Sequence, residues 1–163
     1  MPTGMAPHKE IADDPGAGAR LAMARLAAAE EPNVEASDLE VSREGPSYAY
    51  ETLEQLAERE GDTELVFVMG ADAAAGLGSW REPRRVLELA ALGVARREGS
   101  DDGDVLSSLD ELGARDRATL VDMPRLDVSS SNVRERAAAG RPLRHLVPDA
   151  VAAYIGSEGL YRP

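Results

Sequence analysis

Leu65-Val66-Phe67-Val68-Met69-Gly70-Ala71-Asp72 decides the fold. The apolar run is too short for a buried helix and contains β-branched and aromatic side chains. It predicts a strand, and its unbroken apolar character predicts one covered on both faces, as in a parallel sheet. Gly70-Ala71-Asp72 follows at the carboxyl end of that strand. Ligands of open α/β sheets bind in the crevice there. Gly70 lets a ligand approach the backbone closely, and Asp72 either accepts ribose hydroxyls or caps the next helix.

Outward from this strand, helical and strand patterns alternate. Toward the N-terminus, Tyr50, Leu53 and Leu56 or Ala57 share one face of a helix ending near Gly61. Val34–Val41 reads as a short strand, Arg20–Glu31 as an alanine-rich helix and Met1–Gly18 as a proline-rich loop. Toward the C-terminus come a helix at Arg84–Leu92 with Pro83 in its first turn, a strand at Leu92–Ala95 and a helix at Val105–Leu112. A strand at Thr119–Met123 and helices at Ser131–Ala139 and Pro148–Ser157 complete the chain. The alternation predicts an open, mostly parallel sheet with helices on both faces. The 163 residues fit one domain.

Composition narrows the functions. Cysteine is absent, which excludes disulfides, thiolate metal sites and a cysteine nucleophile. The formal charge of -12 opposes non-specific nucleic-acid binding, which depends on neutralising phosphates. No apolar run approaches the length of a membrane span, and the N-terminus carries no apolar signal segment.

One stretch reverses the overall charge. Residues 125–145 hold Arg125, Arg134, Arg136, Arg141 and Arg144 against Asp127 and Glu135. Within it, Ser129, Ser130 and Ser131 precede a helix and Arg134 lies one turn inside. Free backbone N–H groups, hydroxyls and a planar guanidinium together suit phosphate. A plain serine N-cap also satisfies the pattern. Trp80, the sole tryptophan, follows a flexible Gly76-Leu77-Gly78-Ser79 approach. It either stacks on a flat heteroaromatic ring or fills the core. Tyr48 and Tyr50 open a helix and, at a spacing of two, are expected on different faces. His8 and His145 form no metal or triad constellation, and His145 reads as structural or solvent-facing.

Taken in order, these segments resemble the bacterial nicotinate-nucleotide adenylyltransferases. Pro7-His8-Lys9 resembles the loop after the family's second strand. Gly45-Pro46-Ser47-Tyr48 through Thr52-Leu53 resembles its Pro-Ser-Tyr-Thr…Thr-Leu signature. Phe67 to Trp80 resembles its strand, Gly-x-Asp and tryptophan block. Val128-Ser129-Ser130-Ser131 through Arg134 resembles its Ile-Ser-Ser-Thr-x-x-Arg motif, and Leu146–Tyr161 its ending. The resemblance implies a Rossmann-like nucleotidyltransferase in the cytoplasm. It joins the adenylyl group of ATP to nicotinate mononucleotide, gives deamido-NAD and pyrophosphate, and uses Mg²⁺ with ATP.

By the same resemblance, Gly70, Asp72, Ser129, Ser130, Ser131 and Arg134 bind ATP. Ser47, Tyr48, Ala49 and Trp80 line the nicotinate pocket, and His8 and Lys9 are loop contacts. Ala49 stands where the family has threonine, which removes a hydroxyl near the nicotinate carboxylate. The family opens with a strand, a Gly-Gly-Thr-Phe-Asp-Pro-like turn and a His-x-Gly-His motif, whose histidines carry its main ATP phosphate contacts. This chain begins just past them, so no catalytic residue is identifiable within it, and a start site placed too late is the expectation. A sheet without that first strand is expected to leave unpaired backbone groups and an exposed apolar face. Two other readings follow. A pantetheine-phosphate adenylyltransferase fits the serine run but not the Pro-Ser-Tyr or Trp80 blocks. A non-catalytic nucleotide-binding module fits the absent opening motif.

Overall fold

A computed structural model of the chain describes residues 1–6, 13–97, 102–124 and 126–162. Its helices are α1 (Ala17–Ala28), α2 (Ala49–Glu60), α3 (Ala71–Ala75), α4 (Pro83–Leu89), α5 (Gly103–Glu111), α6 (Ser130–Ala138) and α7 (Asp149–Ser157). Its strands are β1 (Leu65–Gly70), β2 (Ala90–Arg97) and β3 (Ala118–Met123). The chain divides into two compact units, Met1–Ser47 with Asp127–Pro163, and Tyr48–Leu126.

The Tyr48–Leu126 unit holds the sheet. Its strands run in the order β1-β2-β3 and all pair in parallel, with Phe67 opposite Leu92 and Val94 opposite Leu120. Side chains alternate across the sheet. Phe67, Met69, Leu92, Val94 and Leu120 therefore share one face, which packs with Leu53, Leu77, Val86 and Leu109 from the helices and turns. Leu77 and Val86 have no exposed surface, so this is a closed core. Gly61 ends α2 with a φ of 64°, a left-handed turn that costs a glycine little.

The opposite face of the sheet is different. Val66, Val68, Val121 and Met123 alternate with the core residues and are exposed, Val68 to 70%. The expected cover on both sides of Leu65–Met69 is thus found on one side only. The strand was read as doubly covered because both of its faces are apolar, and periodicity records polarity, not burial. Among the described residues that second face of the sheet is apolar and exposed.

Two further expectations are corrected. Val34–Val41 is not a strand. It has no ladder partner among the described residues, and its flanks close locally instead, with Val34 N–H donating to the Glu31 carbonyl and Ser42 N–H to that of Asp38. The helix expected to reach Leu92 stops at Leu89. Ala90 turns to extended backbone because it enters the parallel ladder opposite Leu65. Among the described residues three strands result where four were expected.

In the other unit, α6 and α7 pack around Val133, Leu143, Val151 and Ile155, and Met23 and Leu26 of α1 close the cluster. Gly4 lies so close to the chain that a Cβ there would fall 2.2 Å from the Glu40 carbonyl oxygen. Only glycine allows that approach. Among the described residues no helix is long and apolar enough to cross a membrane.

Candidate active site

The serine run meets a cleft. In the unit containing α6, a cavity of ≈ 280 Å³ is lined by Ser129, Ser130 and Arg134 on one side. Met23, Val133, Leu146 and Val151 supply an apolar wall, and Tyr161 adds a phenol. Ser129 is the N-cap of α6, its Oγ accepting from the Asn132 N–H at 3.2 Å. Capping therefore accounts for Ser129. Ser130 keeps its hydroxyl at the cleft, and Arg134 donates to Ser131 Oγ at 3.3 Å. That long bond is all that Arg134 makes among the described residues, so its guanidinium remains available to an anion.

Tyr161 adopts a φ of 64°, a left-handed conformation that is costly for a residue with a Cβ. Burial is the largest influence on its phenol and raises its pKa, while nearby Arg134 pulls it down. Tyr161 thus stays protonated and able to donate. The positive stretch around it is partly spent on structure. Arg136 holds the turn after α6 by donating twice to the Pro142 carbonyl, at 2.8 and 3.1 Å.

The Tyr48–Leu126 unit carries the remaining candidates. Gly70 closes β1, and a Cβ placed there would meet nothing within 4 Å. Its lack of a side chain keeps that space open at the sheet's carboxyl end. Asp72 lies in the first turn of α3 rather than at its cap, which is Gly70. Its exposed carboxylate makes no side-chain hydrogen bond or ion pair among the described residues, so capping does not account for it.

Trp80 is half-buried. It meets Phe67 edge to face, with centroids 6.1 Å apart and an angle of 71°, and packs on the core. Core packing thus accounts for one side of the indole and leaves the rest at the surface. The tyrosine expectation is corrected. Tyr48 is the N-cap of α2 in extended conformation rather than a helical residue, so helical spacing does not separate it from Tyr50. The two rings stack with centroids 6.2 Å apart, and the Arg81 guanidinium lies 4.8 Å from the Tyr48 ring centroid. Hydrogen bonding to Tyr48 is the largest influence on Arg81 and raises its pKa, so it is charged at any working pH. Tyr50 donates to Glu51 Oε1 at 3.0 Å, which raises its own pKa. Tyr48, the N-cap, makes no side-chain cap hydrogen bond to α2.

Ser47 is placed differently. It is buried, accepts from the Gly4 N–H at 3.2 Å and donates its own N–H to the Met5 carbonyl. It braces the turn before α2. His8 and Lys9 lie outside the described residues. His145 is exposed, with a φ of 67°.

These features can be set beside known proteins. The cytidylyltransferase-like family model matches residues 1–136. A "Probable nicotinate-nucleotide adenylyltransferase" of Roseiflexus sp. (strain RS-1) is 48% identical over 145 residues, covering 88% of this chain and 71% of that protein. The protein of the same description from Thermomicrobium roseum is 40% identical over 163 residues, covering 99% and 76%. The chain belongs to the nicotinate-nucleotide adenylyltransferase family. A solved structure of the Plasmodium falciparum nicotinic acid mononucleotide adenylyltransferase complexed with NaAD shares its fold. The TM-score is 0.71 over 97% of this chain and 78% of that one, at 18% identity. The α/β fold expected from the strand–helix alternation, and the Rossmann-like fold that the resemblance implies, are therefore the family's own.

Sequence reasoning missed two residues of this nicotinate-nucleotide adenylyltransferase family member that the structure brings to the candidate surfaces. Tyr161 sits two residues beyond Gly159, and no local pattern ties it to α6. Arg81 follows Trp80 directly, yet only tertiary packing lays it over Tyr48.

Proposed function

We propose that the chain transfers the adenylyl group of ATP to nicotinate mononucleotide, giving deamido-NAD and pyrophosphate. The observation that carries the reading is the cleft at the start of α6. Ser130 and Arg134 stand there at one side of an apolar wall large enough for part of a phosphorylated, flat-ringed ligand. Membership in the nicotinate-nucleotide adenylyltransferases supplies the reaction that such a ligand enters.

A phosphate oxygen of the mononucleotide attacks the α-phosphorus of ATP. A new P–O bond forms at the α-phosphorus, the bond from the α-phosphorus to the oxygen bridging it to the β-phosphorus breaks, and that oxygen leaves with the electron pair on pyrophosphate. The attacking oxygen is already ionised near neutrality, so the step requires no general base. Alignment and stabilisation of the leaving charge do the work. In this reading Arg134, Ser130, Ser131 and the N–H groups at the start of α6 bind ATP phosphates, while Ser129 holds the helix end in place. Asp72 accepts ribose hydroxyls beside Gly70. Trp80 stacks on the nicotinate ring, and Tyr48 with the N–H of Ala49 borders its carboxylate.

Mg²⁺ enters as the counter-ion of ATP. Among the described residues no group of three or more histidine, cysteine or carboxylate side chains could hold a metal ion. In this reading the ion is bound chiefly through substrate phosphates. The reading places the reaction in the cytoplasm, where ATP is supplied.

The test mixes the purified protein with ATP, Mg²⁺ and either nicotinate mononucleotide or phosphopantetheine, and follows pyrophosphate. Release that requires nicotinate mononucleotide is expected. Release with phosphopantetheine, or with neither acceptor, overturns the reading.

A further inference from the structure

The helices α6 and α7 end in the same way. Gly140 follows α6 with a φ of 63°, and the Arg141 N–H donates to the Arg136 carbonyl at 2.8 Å. Gly159 follows α7 with a φ of 62°, and the Leu160 N–H donates to the Ile155 carbonyl at 3.0 Å. Such closures turn the chain sharply and satisfy the last carbonyls of each helix internally. Residues of both turns line one cavity of ≈ 150 Å³. Leu143, Ile155 and Leu160 give it an apolar wall, and among the described residues no acidic side chain lines it. A Cβ at Gly140 or Gly156 would meet nothing within 4 Å, so the cavity has free space beside both. Arg141 and Arg162, both exposed, complete the lining.

These two arginines are unspent. Arg85 pairs with Glu54 at 2.7 Å, Arg96 with Asp122 at 2.7 Å and Arg115 with Asp110 at 3.0 Å. Among the described residues the guanidiniums of Arg141 and Arg162 make no ion pair or hydrogen bond. The chain has 30 acidic residues against 18 basic ones, so carboxylates are not scarce. Complementing the helix ends is the plain alternative role. Each helix C-terminus carries about half a negative charge, so two ends together offset about one of the two guanidiniums. Positive charge is left over at the cavity.

We propose that this cavity is a binding site for a small carboxylate with a short apolar tail. The guanidiniums donate to the carboxylate oxygens in their forked geometry, and the tail lies against Leu143, Ile155 and Leu160. A cavity of this order admits a ligand of about six non-hydrogen atoms, the size of butyrate. The site lies at the far end of α6 from Ser130, about 13 Å along the helix's nine residues. Ile155 stands between, lining this cavity and the cleft at the start of α6.

The test titrates the protein with butyrate at fixed ionic strength and follows backbone amide NMR shifts. Acetate, 1-butanol and inorganic phosphate are the comparisons. Butyrate is expected to give saturable shifts at Gly140, Arg141, Gly156 and Arg162. It is expected to bind about 15-fold more tightly than acetate, because each of two further buried methylenes gives about fourfold. Replacing both arginines (Arg141→Ala with Arg162→Ala) weakens butyrate by about tenfold or more. Gly156→Leu fills the cavity, keeps both arginines and abolishes the advantage of butyrate over acetate. Dispersed amide spectra show which variants fold, and either variant alone decides. Acetate, phosphate or 1-butanol binding as tightly as butyrate overturns the proposal. So do shifts confined to Ser129–Arg134, or butyrate binding unchanged in a folded variant. A double variant that loses stability, where the wild type binds no butyrate, assigns the arginines to the helix ends instead.

Discussion

Replacing Arg134 with alanine separates binding from folding. In the structure its guanidinium donates to Ser131 Oγ at 3.3 Å, a long bond within the exposed start of α6. Its removal is a near-surface change, expected to cost about 0.5 kcal/mol of stability or less. If Arg134 instead carries a phosphate of ATP, the variant loses a charge-assisted hydrogen bond worth about 1.5–3 kcal/mol. At 1.4 kcal/mol per factor of ten, that weakens ATP binding by about 10- to 140-fold. We predict that ratio of effects. Isothermal titration with a non-hydrolysable ATP analogue measures the affinity at one fixed salt concentration, and urea denaturation of the same preparations measures the stability. Arg134→Lys is expected to recover part of the affinity, because a point charge replaces a planar fork. Unchanged affinity in Arg134→Ala would refute the phosphate role. A stability loss above about 2 kcal/mol would show that the guanidinium belongs to the fold instead.

Three further outcomes are expected. Trp80→Ala should weaken nicotinate mononucleotide more than ATP in calorimetric titrations, and equal losses would mark Trp80 as core alone; its edge contact with Phe67 contributes about 0.5–1.5 kcal/mol to stability in either case. Leu92→Ala removes a side chain with 1% of its surface exposed at the centre of the sheet, so urea denaturation should show a loss of about 2–5 kcal/mol. A loss under about 1 kcal/mol would mean that this core is not closed. Tyr161 gives a pH dependence: burial raises its folded pKa above the ordinary value of 10.0, so its contribution is complete below that value and is lost as pH rises through the folded pKa. Urea midpoints taken between neutral and strongly alkaline pH should show that decline, and Tyr161→Phe should flatten it; an equal decline in the variant would assign the effect to other groups.

Most of what local chemistry controls was legible. The strands at Leu65 and Thr119, the helix end near Gly61, and the cap at Ser129 follow from apolar runs, turn residues and hydroxyls acting on their neighbours. What failed depends on partners remote in sequence. Val34–Val41 has strand-like composition, but a strand also requires a neighbouring ladder. Ala90 and Ala91 carry helix propensity, and pairing with Leu65 and Val66 overrides it. Tyr48 and Tyr50 looked separate while both were counted as helical, and stack because one of them precedes the helix. The candidate site divides in the same way. The serine–arginine run was visible as a phosphate motif, whereas Ser47 as a brace for Gly4, Tyr161 at the cleft and Arg81 over Tyr48 required tertiary packing.

The most direct test of the adenylyl-transfer account is to follow ATP labelled at its α-phosphorus after incubation with nicotinate mononucleotide, Mg²⁺ and the protein. The account predicts that the label moves into a dinucleotide with the mass of deamido-NAD, in step with pyrophosphate release. Label that stays in ATP, or appears only as free AMP, would contradict it.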